Sequence, residues 1–352
     1  MNNEKKYDAI LLAGEGKSSY KVHHQNKAFL TINGACLIHY IVETLQKVES
    51  IQDIYVVGPK EKLQQALLSG RIDLKSPKRI HIVEQKTTLY QNIWHTFLQS
   101  LQDENAEAPN TKSHRDRAVL IVPCDAPLMT PQEVEYFISH ADMEKYDLVS
   151  GLVSREKLQH FYPQKKTLGI KMAYIHFKEA SFRINNLHMV KPLCIENREY
   201  IQKMYQYRYQ RNFKNLILFS LSLFGKDKLR HYKCYIGLQL CLFFANLGLD
   251  SLVDYFRNLN PRKELEKTIS TIMKTRFKTL EVPYPGAALD IDNAKDYDAM
   301  KIQFYEWLKY LQEYKESLPV ATSHIEVSPA ARTEKVARPS PTPLSTSSEH
   351  EG

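Results

Sequence analysis

The alternation of short apolar runs with helical patterns in the first half of the chain constrains its fold more than any other feature. Residues 7–13, 53–58, 79–84, 118–123 and 146–153 are apolar runs of strand length. Between them, residues 35–48 place Leu37, Ile38, Ile41, Val42, Leu45 and Val48 on one helical face. Residues 60–68 and 90–101 also read as helix, and 131–140 opens with Thr130 then Pro131, a cap followed by a first-turn proline. Strands alternating with helices predict an α/β domain whose mainly parallel sheet is covered on both faces. In such sheets, ligands bind at the carboxyl ends of the strands.

The remainder of the chain reads differently. Residues 102–117 are polar and suit a surface loop. Residues 197–275 are nearly free of proline, rich in Tyr, Phe, Leu, Lys and Arg, and read as consecutive helices. The α/β pattern returns at 278–300. The expected organisation is a core at 1–196, a helical insertion at 197–275, a return to the core with a terminal helix at 276–317, and a disordered tail at 318–352, where Pro, Ser, Thr and Ala lack periodicity.

A net charge of +8 suits a phosphate-rich ligand, an anionic membrane surface or nucleic acid, and does not choose among them. Five scattered cysteines without a CxxC pair argue against a disulfide framework and a zinc site. Thirteen histidines contain no HExxH, and no GxSxG is present. With a polar start and no apolar stretch long enough to span a bilayer, the expected location is cytoplasmic. The apolar, basic insertion reads either as a small bundle on the core or as an interfacial helix against anionic lipid, a peripheral membrane contact.

A glycine-containing turn, LLAGEGKSS, directly follows the first strand and lets backbone N–H groups approach an anion. It is not a P-loop, because Leu11 stands where the first glycine belongs. It is a poor dinucleotide fingerprint, because Ser19 replaces the third glycine after Gly14 and Gly16. With Lys27, the turn Ile32-Asn33-Gly34 and the amphipathic helix from Cys36, however, it resembles the opening of the MobA-like NTP transferases. These include molybdenum-cofactor guanylyltransferase and sugar-1-phosphate nucleotidyltransferases.

The resemblance implies a three-layer α/β/α, GT-A-like (Rossmann-like) fold. It also implies that Leu12, Ala13, Gly14, Glu15, Gly16 and Lys17 wrap a nucleotide while Lys27 neutralises its triphosphate. The same residues also suit a tight βα turn and a surface lysine. Two departures stand out: Glu15 occupies the place of a second glycine, and Ser19 that of a phosphate-gripping arginine. Lys17 or Lys21 could supply the charge, without the bidentate fork of arginine.

Two further segments carry the resemblance. In VLIVPCDAPLMTP the strand ends at Asp125, which matches the family's Mg²⁺-holding aspartate; Thr130 is better placed than Asp125 to cap the next helix. Ala288-Leu289-Asp290-Ile291-Asp292 matches the D-[IV]-D-x-P-E-D element, with Ala294 and Lys295 replacing its proline and glutamate and Asp296 kept. Either Asp290 or Asp292, with Asp292 favoured, would complete the metal site; Asp292 or Asn293 could equally cap the terminal helix. Thr88 and Asn92 match base-contacting positions, although Thr87 or Thr88 could cap a helix there. In 182–192, similar to the family's acceptor-facing strand, Asn186 would contact the acceptor, and Ile184-Asn185 replace the usual glycines, which suggests a narrower or different acceptor site. GLVSREKLQHFYP and VPYPGAALDID resemble a bacterial subgroup of the family.

The implied activity is Mg²⁺-dependent transfer of NMP from a nucleoside triphosphate to a phosphorylated small-molecule or lipid-linked acceptor, with Lys27, Asp125 and Asp292 central and no nucleic-acid partner expected. The departures at Glu15, Ser19, Ala294 and Asn185-Asn186 leave a second reading open: a binding or regulatory protein that keeps the fold without the chemistry.

Overall fold

The protein is seen as a computed structural model that describes residues 5–15, 21–69, 72, 76–101, 113–165, 167–198 and 229–317. Gly16, Lys17, Ser19, most of the 102–117 loop and the tail from 318 lie outside the described residues.

The elements follow in chain order. β1 (Tyr7–Leu12) leads to a small hairpin of β2 (Thr31–Ile32) and β3 (Ala35–Cys36), then α1 (Leu37–Gln46) and β4 (Ile51–Gly58). α2 (Lys60–Leu68), β5 (Ile80–Glu84), α3 (Leu89–Ser100), β6 (Val119–Pro123) and α4 (Pro131–His140) come next. β7 (Leu148–Ser154), α5 (Arg155–Leu158), β8 (Ile175–His176) and the long β9 (Ser181–Val190) follow. The chain then runs through α6 (Leu229–Asn246), α7 (Asp250–Phe256) and α8 (Arg262–Met273) to β10 (Phe277–Glu281) and α9 (Ala294–Ser317).

The main sheet has the order β10-β7-β9-β6-β1-β4-β5, with β8 paired to β9. All neighbours along this order are parallel except β9, which runs antiparallel to β6 and β7. It is the mixed, mainly parallel sheet that the apolar runs predict. Side chains alternate across it. One face gives Ala9, Leu11, Val56 and Leu120 to a core shared with α1, α4 and α9, through residues such as Ile41, Phe137 and Phe304. The other gives Ile10, Val57, Val119 and Ile121 to Phe97 of α3 and Met273 of α8. Each such side chain contributes about 1.5–3 kcal/mol on burial.

Local chemistry places the helix starts. Thr130 accepts from the Glu133 N–H with Pro131 in the first turn, and Thr88 accepts from the Gln91 N–H. Asn293 accepts from the N–H groups of Lys295 and Asp296, so Asn293 rather than Asp292 caps α9. Hairpin β2–β3 takes residues 35–36, which is why the first helix begins only at Leu37.

Of the expected helical stretch, 199–228 lie outside the described residues, and the described part divides in two. α8 packs on the sheet, while α6 and α7 pack chiefly on each other and leave Ile236, Leu242, Phe243, Leu247 and Leu252 more than a third exposed. Apolar residues surround α6 rather than forming one stripe, so packing on one side cannot bury them all. No described helix is long and apolar enough to cross a membrane.

Candidate active site

β1 and β6 are parallel neighbours in register, with Leu12 opposite Pro123. The turn after β1 and the segment Cys124-Asp125 therefore leave the sheet side by side. A third segment joins them: the Ile291 N–H donates to the Asp125 carbonyl at 3.0 Å, which clamps Asp290 and Asp292 beside Asp125. Carboxylate oxygens of all three lie within 4.8 Å of one another.

Lys27 reaches this cluster from the loop after the turn. Asn26 sets it there: its Oδ1 accepts from the Ala28 N–H, starting a 3₁₀ turn, and its Nδ2 donates to the Ala13 carbonyl at 3.0 Å. The Lys27 Nζ lies 2.8 Å from Asp125 Oδ2 and 3.4 Å from Asp292 Oδ1. Burial acts to lower its pKa, yet Asp125 and Asp292 outweigh burial and raise it above the ordinary lysine value. For Asp125 the balance is reversed: burial raises the carboxyl above its usual range despite Lys27.

The two remaining aspartates differ. Asp290 is buried and held by Arg183, whose Nη2 lies 2.6 Å from Oδ1 while Nε donates to the Ala288 carbonyl. Burial pushes the Asp290 carboxyl up, but Arg183 and then Lys27 bring it below its ordinary value. Asp292 is 45% exposed. Three carboxylates face two fixed cations, so the cluster still attracts positive charge. Oxygen donors converging this closely fit a hard divalent cation such as Mg²⁺.

On the turn side, Gln85 braces the backbone: its Oε1 accepts from the Glu15 N–H at 2.5 Å and its Nε2 donates to the Glu15 carbonyl at 2.8 Å. Asn92 accepts from the Lys86 N–H, and a Cβ on Gly14 would stand 3.1 Å from the Asn92 amide nitrogen, so the glycine makes room for it. The Glu15 carboxylate faces Lys62 at 3.0 Å and Lys21 at 3.5 Å; its bond to Lys62 leads in lowering its pKa. Lys21 is thus occupied with Glu15, one departure, although it is a candidate to compensate for the other, the arginine that Ser19 replaces.

On the opposite side, β7 and β9 slip register between Ser150 and Leu152. Asn185 is fully buried against Gly151, where a Cβ would meet its Oδ1 at 1.9 Å. The slip turns Asn186 to a φ of 61° and aims its amide at the Ala287 carbonyl, 3.0 Å away. Of the two residues replacing glycines, Ile184 faces the site and Asn185 does not.

The turn and the carboxylates border one cavity of about 680 Å³. Leu12, Gly14, Glu15, Lys27, Thr88 and Asn92 line it, as do Asp125, Asn186, Asp290 and Asp292. Ala13 lies buried behind it and serves through its carbonyl. Thr88 lines the cavity while also capping α3. Sequence reasoning missed Gln85 and Arg183. A third carboxylate in the cluster was the available sign of a second buried cation.

The chain matches the family described as the MobA-like NTP transferase domain over residues 9–218. Among solved structures, a hypothetical transferase from Thermus thermophilus is 17% identical, with 83% of this chain and 99% of that chain covered and a TM-score of 0.54. CMP:2-keto-3-deoxy-manno-octonic acid synthetase complexed with CTP is 12% identical, with 86% and 99% covered and a TM-score of 0.42. No curated protein matches.

Proposed function

The chain belongs to the MobA-like NTP transferase family and is a nucleotidyltransferase; from that premise we propose that it transfers NMP from an NTP to a phosphorylated acceptor and depends on Mg²⁺. The observation that carries this reading is the meeting of Asp125, Asp290 and Asp292 with Lys27 at the strand ends. We assign Asp125 and Asp292 as the metal ligands, because Arg183 holds Asp290. When bound, the ion would offset charge on the transferring phosphoryl group.

The turn from Ala13, braced by Gln85, holds the nucleotide, with Thr88 and Asn92 near the base. Lys27 neutralises triphosphate charge. Asn186 contacts the acceptor. An oxygen of the acceptor phosphate bonds to the α-phosphorus in line, the bond to the α,β-bridging oxygen breaks, and pyrophosphate leaves with the electron pair. The nucleophile is already anionic, so no general base is needed; positioning and charge neutralisation supply the rate. The organisation we assign keeps 1–196 and 276–317 as the catalytic core around an insertion at 197–275, whose α8 packs on the core sheet. The reading places the enzyme in the cytoplasm, with the exposed apolar residues of α6 and α7 available to a membrane surface when the acceptor is lipid-linked. Pyrophosphate release by Asp125→Asn tests the assignment; full turnover in that variant would refute it.

A further inference from the structure

The cavity does not end at the carboxylates. α3 covers β1 and β4 on one face of the sheet, and α8 lies against β10. Between these helices the cavity runs on over β6, β9 and β7. Its floor there is Ile121, Val190, Leu148 and Leu152, and Leu265 and Ile269 of α8 form a wall. Arg198 lies over the Trp94 ring at 4.1 Å, with its Nη1 without a hydrogen-bond partner among the described residues. Four other polar side chains border this half, and each is engaged within the protein. Ser150 Oγ and His188 Nδ1 are 2.9 Å apart. Thr279 Oγ1 accepts from Arg262 and donates to Glu266. Asn186 donates to the Ala287 carbonyl.

A sugar phosphate would bring several hydroxyls into this trough, where desolvation without new partners is unfavourable. A hydrocarbon chain would bring none. At the other end, Lys27 and the carboxylates form the polar head of the same cavity, where a divalent cation would be held. We propose that the acceptor is an amphiphile, a phosphate monoester of an apolar chain, with its phosphate beside Lys27 and its chain along the trough. This rests on the transferase reading above. The product is then a nucleoside diphosphate ester of the chain: one P–O bond forms, one breaks, and pyrophosphate leaves.

The test is a series of straight-chain alkyl phosphates, offered free below their micelle concentrations and again in neutral vesicles. Their binding is followed by calorimetry and their turnover by pyrophosphate release with Mg²⁺ and each NTP. Each methylene that enters the trough should tighten binding about fourfold until the trough is full. Ile184→Asn, at the exposed rim, and Ile269→Gln, on the wall, should each flatten that dependence. Strength in solution or only in vesicles tells a soluble chain from a membrane-held one, and either supports the proposal. Equal binding of short and long chains, or an unchanged dependence in both variants, overturns it. Chain-dependent binding without pyrophosphate release with any NTP would uphold the trough and defeat the transferase reading. Turnover of short polar phosphates without chain dependence would do the reverse.

Discussion

The two halves of the cavity face the same three carboxylates and are built by opposite means. Beneath the first βα turn, polar side chains are tied to backbone groups: Gln85 to Glu15, Asn92 to Lys86, Asn26 to Ala13. These bonds hold peptide groups around Gly14 in fixed positions, where they can read a ligand by direction. Over β9 and β7, apolar side chains make the surface, and Ser150, His188 and Asn186 are each engaged within the protein. That half selects by excluding water, which discriminates by size and polarity rather than by pattern. One enzyme can thus combine a demanding nucleotide site with an acceptor site whose preference is set by apolar area.

The comparison can be broken first at the junction. Asp125→Asn should lower kcat for pyrophosphate release by about 10²–10³, several kcal/mol of lost charge stabilisation, while the protein still folds. Folding is checked by circular dichroism melting. Lys27→Met, also at the junction, should lower kcat/KM by about a hundredfold through lost neutralisation of phosphate charge. A variant with unchanged kinetics would remove Lys27 from the mechanism.

Asn92→Ala sharpens the contrast between halves. It should raise the nucleotide KM by about tenfold and leave the acceptor KM alone, as a lost hydrogen bond of about 1–1.5 kcal/mol would. An equal rise in both would mean that the halves are not separate.

The smallest effect lies outside both halves. Glu133 is fully buried, with Oε2 accepting from the Ala287 N–H and Oε1 without a hydrogen-bond partner among the described residues. Burial raises its pKa well above the ordinary value. The folded state therefore binds this proton more tightly than the unfolded chain, so its stability contribution is full below the ordinary carboxylate value and is lost as pH rises from about 4 through the raised one. Glu133→Gln, which mimics the protonated form, should remove that loss and flatten the melting temperature against pH. A variant as pH-sensitive as the parent would contradict this.

Much of the molecule was legible because it is local. Apolar periodicity located β1, β4, β5, β6 and β7 to within two residues or so, and α2 and α4 to the residue. Thr130 and Pro131 announced their own helix. Lys27, Asp125 and Asp292 were recognisable as residue types at strand ends and turns. The organisation of the acidic cluster was not legible. Arg183 and Asp290 are 107 residues apart, Gln85 and Glu15 are 70 apart, and no periodicity connects them.

The sequence by itself determined the elements and the chemistry available at their ends, since both follow from spacing along the chain. Only the tertiary structure decided which aspartate Arg183 consumes, that Ile184 faces the cavity while Asn185 packs on Gly151, and that an apolar trough opens beside the carboxylates. Those outcomes depend on which faces of distant segments meet, and that is settled by packing and desolvation across the sheet rather than by the order of residues in any one strand.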